Sequence, residues 1–186
     1  MRKLTSFLLA LVVVFALILT VSSAFTKTKT SSYAEDRAQI EDLQARYLFA
    51  LDFFDLDTYV STFTEDGVLD IIEYRVQGRD AIRKAIEEAR SVFDHSAGEG
   101  PKGPYQATGR HNISNIVIKV DGDKAYGRAY WFHYSNNNPE RKAVFDGYGH
   151  YEDEMVKVNG QWLFSKRVIY NEGVKNWIGQ SKNPAW

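Results

Sequence analysis

The stretch at 105–171 constrains the fold more than any other part of the chain. Two dipeptides that favour two-residue hairpin turns, Asp121-Gly122 and Asn159-Gly160, each separate two long segments rich in β-branched and aromatic residues. The pattern therefore predicts four antiparallel strands, at Tyr105–Val120, Lys124–Tyr134, Arg141–Val158 and Gln161–Asn171. Interior glycines mark bulges, so we expect the third of these strands to bend at Gly147 or Gly149.

The segment before these strands predicts helices. Apolar residues recur every three or four positions between Ala34 and Phe54, which is typical of a helix with one buried face. A second, short helix is expected at Thr58–Phe63 with Asp57 as its N-cap, and a third helix near Asp80. Helices that are separate in sequence from an antiparallel sheet indicate an α+β fold. We expect a cone-shaped, curved antiparallel sheet that wraps around the long N-terminal helix, with two further helices and a pocket inside.

The N-terminus predicts export. Arg2 and Lys3 precede an apolar run at 7–19 that is short for a membrane span, and small residues follow at Ser22 and Ala24. The expected organisation is a signal peptide at 1–24 cleaved near Ala24, a flexible linker at 25–33, one domain at 34–171 and a C-terminal tail at 172–186. The mature protein would then be periplasmic or secreted. The alternative is a retained N-terminal membrane anchor.

The composition of the chain limits the classes of molecule that it is expected to bind. The chain has no cysteine, so an exported form must rely on a hydrophobic core rather than on disulfides. Its net charge of −1 gives no electrostatic reason to bind nucleic acid or, in the mature form, a membrane. Aromatic residues make up 14% of the chain, enough to line an apolar cavity as well as to fill a core.

The end of the long helix carries an acid among aromatic residues. Burial of an unpaired carboxylate is costly, so Asp52 must reach solvent or find a partner. His111 on the first long strand is the best candidate. Strand alternation puts His111 on one face with Ile113 and Val117, and if this face points inward the imidazole lies at the mouth of the cavity. A neutral imidazole beside a carboxylate can abstract a proton, although His111 can equally be a structural residue.

Other polar residues of the strands can line the same cavity. Tyrosines can donate hydrogen bonds to a ligand oxygen, and an arginine can hold a carboxylate or phenolate. We expect ligand contacts from Tyr130, Tyr148, His150 and Arg167. Packing or surface ion pairs are the alternative role for each of them. No histidine spacing indicates a metal site, and no phosphate-binding loop or nucleophile elbow is present, so neither metal nor cofactor is expected.

The spacing of several motifs resembles the SnoaL-like group of the nuclear-transport-factor-two-like superfamily. The resemblance covers about 34–171 and is carried by Tyr47-x4-Asp52, Phe63-Thr64-x-Asp66, Gly78-Arg79-Asp80-Ala81-Ile82, His111-x3-Asn115 and Asn159-Gly160-x-Trp162. It implies the α+β cone. The superfamily includes scytalone and bile-acid dehydratases, a dehydrochlorinase, isomerases and members that only bind ligands, and the open sheet face of this fold often pairs with a second copy.

The resemblance also implies roles for residues. By motif, Asp52 and His111 match the acid and base of the lyase-type members, and Tyr47 matches a tyrosine of the bile-acid dehydratase. This implies a cofactor-independent, dehydratase-like lyase or isomerase that acts on a small apolar cyclic or aromatic molecule, with His111, Asp52 and Tyr47 as its catalytic residues. The alternative is an exported, non-catalytic binding protein of the same fold. The second catalytic histidine of scytalone dehydratase has no counterpart at Ala129, which separates this chain from that substrate.

Overall fold

The computed structural model describes residues 31–71, 74–94, 105–175, 179 and 182–186. The chain divides into two units, Met1–Ser32 and Tyr33–Trp186, and the second contains all the helices and strands described. The expected signal peptide and residues 25–30 of the expected linker lie outside the described residues, as do residues 95–104. None of the helices formed by the described residues is both long enough and apolar enough to cross a membrane.

The described residues form an α+β cone, which confirms the predicted fold class. The helices are α1 at Tyr33–Asp52, α2 at Leu56–Ser61, α3 at Arg79–Glu88 and a four-residue α4 at Arg90–Phe93. The strands are β1 at Phe63–Ile71, β2 at Tyr74–Gln77, β3 at Gly109–Asp121, β4 at Lys124–Ser135, β5 at Val144–Val158 and β6 at Gln161–Asn171. They form one curved, unclosed sheet in the order β2-β1-β6-β5-β4-β3, in which β1 and β6 are parallel and the other neighbours antiparallel.

The hydrophobic core lies between α1 and the inner face of the sheet, the face that the cone encloses. One stripe of α1 is buried against aromatic and aliphatic side chains from the sheet. The fully buried members include Ile40, Leu43, Tyr47, Phe63, Leu69, Tyr151, Met155, Trp162 and Phe164. The predicted periodicity of the long helix is thereby confirmed, and its buried face forms one wall of the cone.

Helix α1 ends in a Schellman motif, in which Phe54 takes the left-handed conformation with a φ of 56°. The amide of Asp55 donates to the carbonyl of Ala50 at 2.8 Å, and the amide of Phe54 donates to that of Leu51 at 3.1 Å. Glycine is the usual residue at this position, because a Cβ disfavours positive φ. The motif fixes Asp52 as the last residue of the helix, at the end that faces the start of β3.

The N-cap prediction for α2 is wrong by two residues. The helix occupies Leu56–Ser61 rather than 58–63, and Asp55 caps it by accepting a hydrogen bond from the amide of Thr58 at 3.1 Å. Asp57 instead lies in the first turn and pairs with Arg83. The two aspartates are equally good caps by sequence, and the tight Schellman turn before α2 selects the earlier one.

Ile113 and Val117 were expected to share the inner face of β3, and this is correct only for the part of the strand before a bulge. Asn115 has a φ of 53°, and the pairing with β4 shifts between Ser114 and Val117. Ile113 therefore points inward as expected, but Val117 is exposed and the isoleucines at 116 and 118 pack on the core instead. One extra residue in a strand transfers every later side chain to the other face.

A second bulge lies in β5, close to the predicted bend. His133 pairs with Gly147 and Tyr134 with Phe145, so Asp146 is the extra residue. Without the bulge, Asp146 would face outward beside Tyr134 and Phe145 would point into the cone. With it, Phe145 is exposed on the outer face and contacts Tyr134. The carboxylate of Asp146 consequently turns to the inner face.

Candidate active site

A cavity of about 890 Å³ opens within the cone, between α1, α3 and the inner face of the sheet. Its deep part is lined by apolar and aromatic side chains, and its rim by polar ones. The deep residues are Tyr47, Leu51, Tyr59, Ile71, Ile86, Trp131, Tyr151 and Ile169. The rim residues are Ser135, Asn137, Asn138, Glu140, Lys142, Asp146 and Asn171, and His111 and His133 also line the cavity. This volume and lining suit a small, mainly apolar molecule.

The predicted contact between Asp52 and His111 is present at this cavity. His111 Nδ1 lies 2.6 Å from Asp52 Oδ1, and the backbone amide of His111 donates to Asp52 Oδ2 at 2.9 Å. The side chains are 11% and 6% exposed. An ionised carboxylate can only accept hydrogen bonds, so the proton of the neutral imidazole resides on Nδ1 and Nε2 is basic.

The carboxylate of this pair is held by its surroundings. Asp52 is fixed at the end of α1, and the hydroxyl of Tyr105 donates to its backbone carbonyl at 3.1 Å. Burial raises the pKa of Tyr105 to about 12, and the negative charge of Asp52 adds to the effect. Tyr105 therefore stays protonated and keeps donating at physiological pH. Its ring stacks on Phe54 at a centroid distance of 5.2 Å, which ties the helix end to the segment that leads into β3.

A second imidazole–carboxylate pair lies beside the first. His133 Nδ1 is 2.7 Å from Asp146 Oδ1, and the rings of His133 and His111 are 4.3 Å apart at their centroids as direct neighbours across β3 and β4. Burial lowers the pKa of His133, and a positive charge on His111 lowers it further. Sequence reasoning missed Asp146, because simple alternation points Asp146 outward and a bend predicted at Gly147 or Gly149 does not show which residue is the extra one.

Tyr47 lies at the floor of the cavity, as its predicted role requires. Its hydroxyl accepts a hydrogen bond from the hydroxyl of Tyr59 at 2.8 Å. Burial raises the pKa of Tyr47, although the positive charge of Arg167 opposes this. The phenol therefore remains protonated, and its own proton can be directed at a ligand oxygen.

Arg167 does not lie in the cavity lining. It is fully buried behind Tyr47 and Tyr151, where Nε and Nη2 each donate to a different carboxylate oxygen of Asp153 at 2.8 Å. Its guanidinium carbon is 4.1 Å from the ring centroids of Tyr47, Tyr151 and Phe164. Burial alone would lower the pKa of Arg167, but the Asp153 carboxylate raises it. This position argues against the expected ligand contact and makes Arg167 a structural support for the cavity floor.

The other three expected ligand contacts lie on the outer face of the sheet. Tyr130 and Tyr148 are 54% and 46% exposed, and neither lines the cavity. His150, which pairs with Tyr130 across the strands, is buried on that face by Tyr170 and binds Glu172 through Nδ1 at 2.6 Å. Their placement argues against contact with a ligand that occupies the cavity. Within the described part of the chain, no group of three or more histidine, aspartate or glutamate side chains could hold a metal ion.

The curved sheet, the long helix and the lined cavity together define an α+β cone protein with a small-molecule pocket. The chain belongs to the SnoaL-like domain family, whose model matches residues 32–168. No curated protein matches the sequence.

Solved structures repeat the same architecture. A Mycobacterium tuberculosis protein of unknown function is 26% identical with a TM-score of 0.61, over 73% of this chain and 71% of that one. A candidate scytalone dehydratase from Novosphingobium aromaticivorans is 26% identical with a TM-score of 0.58, over 80% of this chain and 92% of that one. ActVI-ORFA from Streptomyces coelicolor, 18% identical with a TM-score of 0.60 over 74% and 98% of the two chains, shares the fold.

Proposed function

We propose that the protein is a cofactor-independent lyase or isomerase that removes a proton from carbon in a small apolar cyclic or aromatic molecule. The observation that carries this proposal is the pair of His111 and Asp52, joined at 2.6 Å, at the wall of an apolar cavity. The resemblance to lyase-type relatives supports it. No cofactor is required by the proposal, because an activated carbon acid needs only a positioned base and a stabilised oxyanion.

In the first step, His111 Nε2 takes a proton from a carbon next to a carbonyl. Asp52 holds the Nδ1 proton, fixes the tautomer and stabilises the imidazolium that forms. The pair is largely shielded from water, so the interaction between the two charges is stronger than it would be in solution. The electron pair of the broken bond then expels a leaving group or forms an enolate.

Tyr47 would stabilise the oxygen that gains charge. Its phenol lines the deep part of the cavity and stays protonated because burial raises its pKa. The hydrogen bond from Tyr59 makes Tyr47 a better donor, since successive hydrogen bonds polarise one another. The carbonyl of the bound molecule therefore points to the floor in this arrangement, and its more polar substituents point to the rim.

A simple β,γ-unsaturated ketone, 3-cyclohexen-1-one, tests this proposal. It is small, apolar and cyclic, and its conversion to the conjugated isomer requires removal of a proton from the α-carbon. We expect saturable catalysis that falls by about 10²- to 10⁴-fold in a His111→Gln variant, the usual contribution of a positioned base. Isomerisation is followed by NMR, with circular dichroism as a check of folding.

The control is His150→Gln, which removes an imidazole–carboxylate pair of similar geometry outside the cavity. We expect it to leave the rate unchanged. Equal rates in the wild type and His111→Gln would overturn the assignment of His111 as base. Tight binding of the ketone in the cavity without any reaction would identify a binding protein instead.

We also propose a homodimer formed through the outer face of the sheet. This face exposes a set of aromatic side chains that a monomer would leave in water, Tyr126, Tyr130, Tyr134, Phe145 and Tyr148. Contiguous exposed aromatic surface is typical of interaction sites. Sedimentation equilibrium of residues 25–186 should show a dimer that dissociates in a Tyr130→Lys and Phe145→Lys double variant. A wild-type monomer at micromolar concentration would contradict this.

Export of the protein remains a proposal from its N-terminal sequence. Cleavage after Ala24 would give a mature chain that begins at Phe25. N-terminal sequencing of protein recovered outside the cytoplasm of a bacterial host should find Phe25 first. Recovery of the intact N-terminus in the membrane fraction would favour the retained anchor.

A further inference from the structure

The two histidine–carboxylate pairs of the cavity differ in their exposure to solvent, which increases from the cavity wall to the rim. His111 and Asp52 are both largely buried, with side chains 11% and 6% exposed. The His133 side chain is 13% exposed, and that of its partner Asp146 is 40% exposed. Because the two rings are in contact, a proton on His111 has a short path to His133, and His133 borders the polar rim that water can enter.

The pair of His133 and Asp146 has properties suited to a residue that accepts a proton and then releases it. Asp146 accepts a hydrogen bond from Nδ1, which makes Nε2 the acceptor nitrogen of the neutral ring. Burial and the neighbouring His111 lower the pKa of His133, which favours the neutral ring. A carrier that held the proton tightly would trap it and stop turnover.

We propose that His133 and Asp146 form a proton relay that connects the base His111 with solvent at the rim of the cavity. This inference rests on the proposed function of His111. His133 acts through His111 and does not contact the reacting carbon, so it is a positioning and relay residue rather than a catalytic one. The relay determines whether the proton taken from carbon is exchanged with water before it can return.

The proton balance is complete without any additional reactant. The C–H bond breaks, its electron pair stays on the substrate as an enolate, and the proton moves to His111 Nε2. From there it passes through a bridging water molecule to His133 Nε2, and the carboxylate of Asp146 stabilises the imidazolium. His133 then releases this proton to water at the rim. Both histidines return to the neutral Nδ1–H tautomer, and a proton from solvent can complete the reaction by the reverse route.

The partition of isotopes in a single reaction tests the relay. Isomerisation of 3-cyclohexen-1-one in deuterium oxide moves a hydrogen from the α-carbon to the γ-carbon, and mass spectrometry with NMR shows whether the γ-carbon receives protium or deuterium. We expect the wild type to give mainly deuterium. In His133→Gln the isomerisation persists, but the ratio of deuterium to protium at the γ-carbon falls by about tenfold or more. A merely structural role would change the rate and leave this ratio unchanged.

Two further variants make the result decisive. Asp146→Asn removes the carboxylate at the exposed end and should lower the ratio in the same direction, which also decides the matter if His133→Gln does not fold. His150→Gln is the matched control and should keep the wild-type ratio. An unchanged ratio in His133→Gln or in Asp146→Asn, or a wild-type product that contains only protium, overturns the relay while leaving His111 as base. If no reaction depends on His111, the proposed function fails and the relay with it.

Discussion

The two faces of the sheet carry the same kind of contact in different surroundings. On the inner face, His111 binds Asp52 at 2.6 Å and His133 binds Asp146 at 2.7 Å, and both rings line the cavity. On the outer face, His150 binds Glu172 at 2.6 Å, but its ring is covered by Tyr170 at a centroid distance of 4.4 Å. A short imidazole–carboxylate contact is therefore not by itself a sign of chemistry. Access of a ligand to the second ring nitrogen distinguishes the faces.

The largest expected effect is a loss of reaction rate when the carboxylate beside His111 is neutralised, compared with the same change beside His150. Asp52→Asn keeps the shape of the side chain but removes the charge that stabilises the His111 imidazolium, so isomerisation of 3-cyclohexen-1-one should slow by about 10²- to 10⁴-fold. Glu172→Gln makes the same change beside His150 and should leave the rate within about twofold of the wild type. Steady-state rates of the folded variants measure both. Similar losses in the two variants would remove the distinction between the faces.

The second comparison concerns stability. Arg167→Ala leaves the carboxylate of Asp153 buried without its cation, with a hydrogen bond from the amide of Gln44 at 3.2 Å, and should lower the free energy of unfolding by about 3–5 kcal/mol. Lys166→Ala removes the lysine that lies 4.0 Å from Glu154, with side chains 33% and 54% exposed, and should cost less than about 1 kcal/mol. Urea unfolding followed by tryptophan fluorescence gives both values. A small loss for Arg167→Ala would show that water or another donor replaces the guanidinium.

The smallest expected effect is a pH dependence of the free energy of unfolding, caused by His133 on the inner face. In the folded protein the pKa of His133 lies below its ordinary value of 6.5, so the unfolded chain binds more protons there. This group therefore makes stability rise with pH towards about 6.5 and contributes no slope above it. His133→Gln should show a shallower rise than the wild type between about pH 5 and 7. Parallel stability curves for the two proteins would contradict a lowered pKa.

Much of the fold was predictable because it depends on local patterns. The period of apolar residues in α1 and the turns at Asp121-Gly122 and Asn159-Gly160 each specify an element through contacts within a few residues. The starts of β4 at Lys124 and of β6 at Gln161 follow directly from these turns. The contact of Asp52 with His111 was also predicted, because a buried acid requires a partner and the two residues match the acid and base of lyase-type relatives by motif.

The errors concern positions where a single extra residue changes the facing of a strand. The bulge at Asn115 reversed the expected facing of the residues after it, and the bulge at Asp146 supplied a carboxylate that alternation assigns to the outer face. Gly147 predicted a bend close to the second bulge, but which residue is the extra one depends on the pairing with the neighbouring strand. The position of the first bulge depends on such pairing in the same way. The same limit applies to Tyr130 and Tyr148, whose expected inward direction required a register that the sequence does not specify.

The bulge in β5 also bears on how such a protein can change over time. Deletion of Asp146, the extra residue beside His133, would remove the bulge. The start of β5 would then pair regularly with β4, and its side chains would alternate between the two faces. Core residues such as Tyr151 and Met155 lie further along the strand and would keep their partners. Insertion or deletion of a single codon can therefore create or remove the pair of His133 and Asp146. The packing of the core, and with it the fold, would be kept.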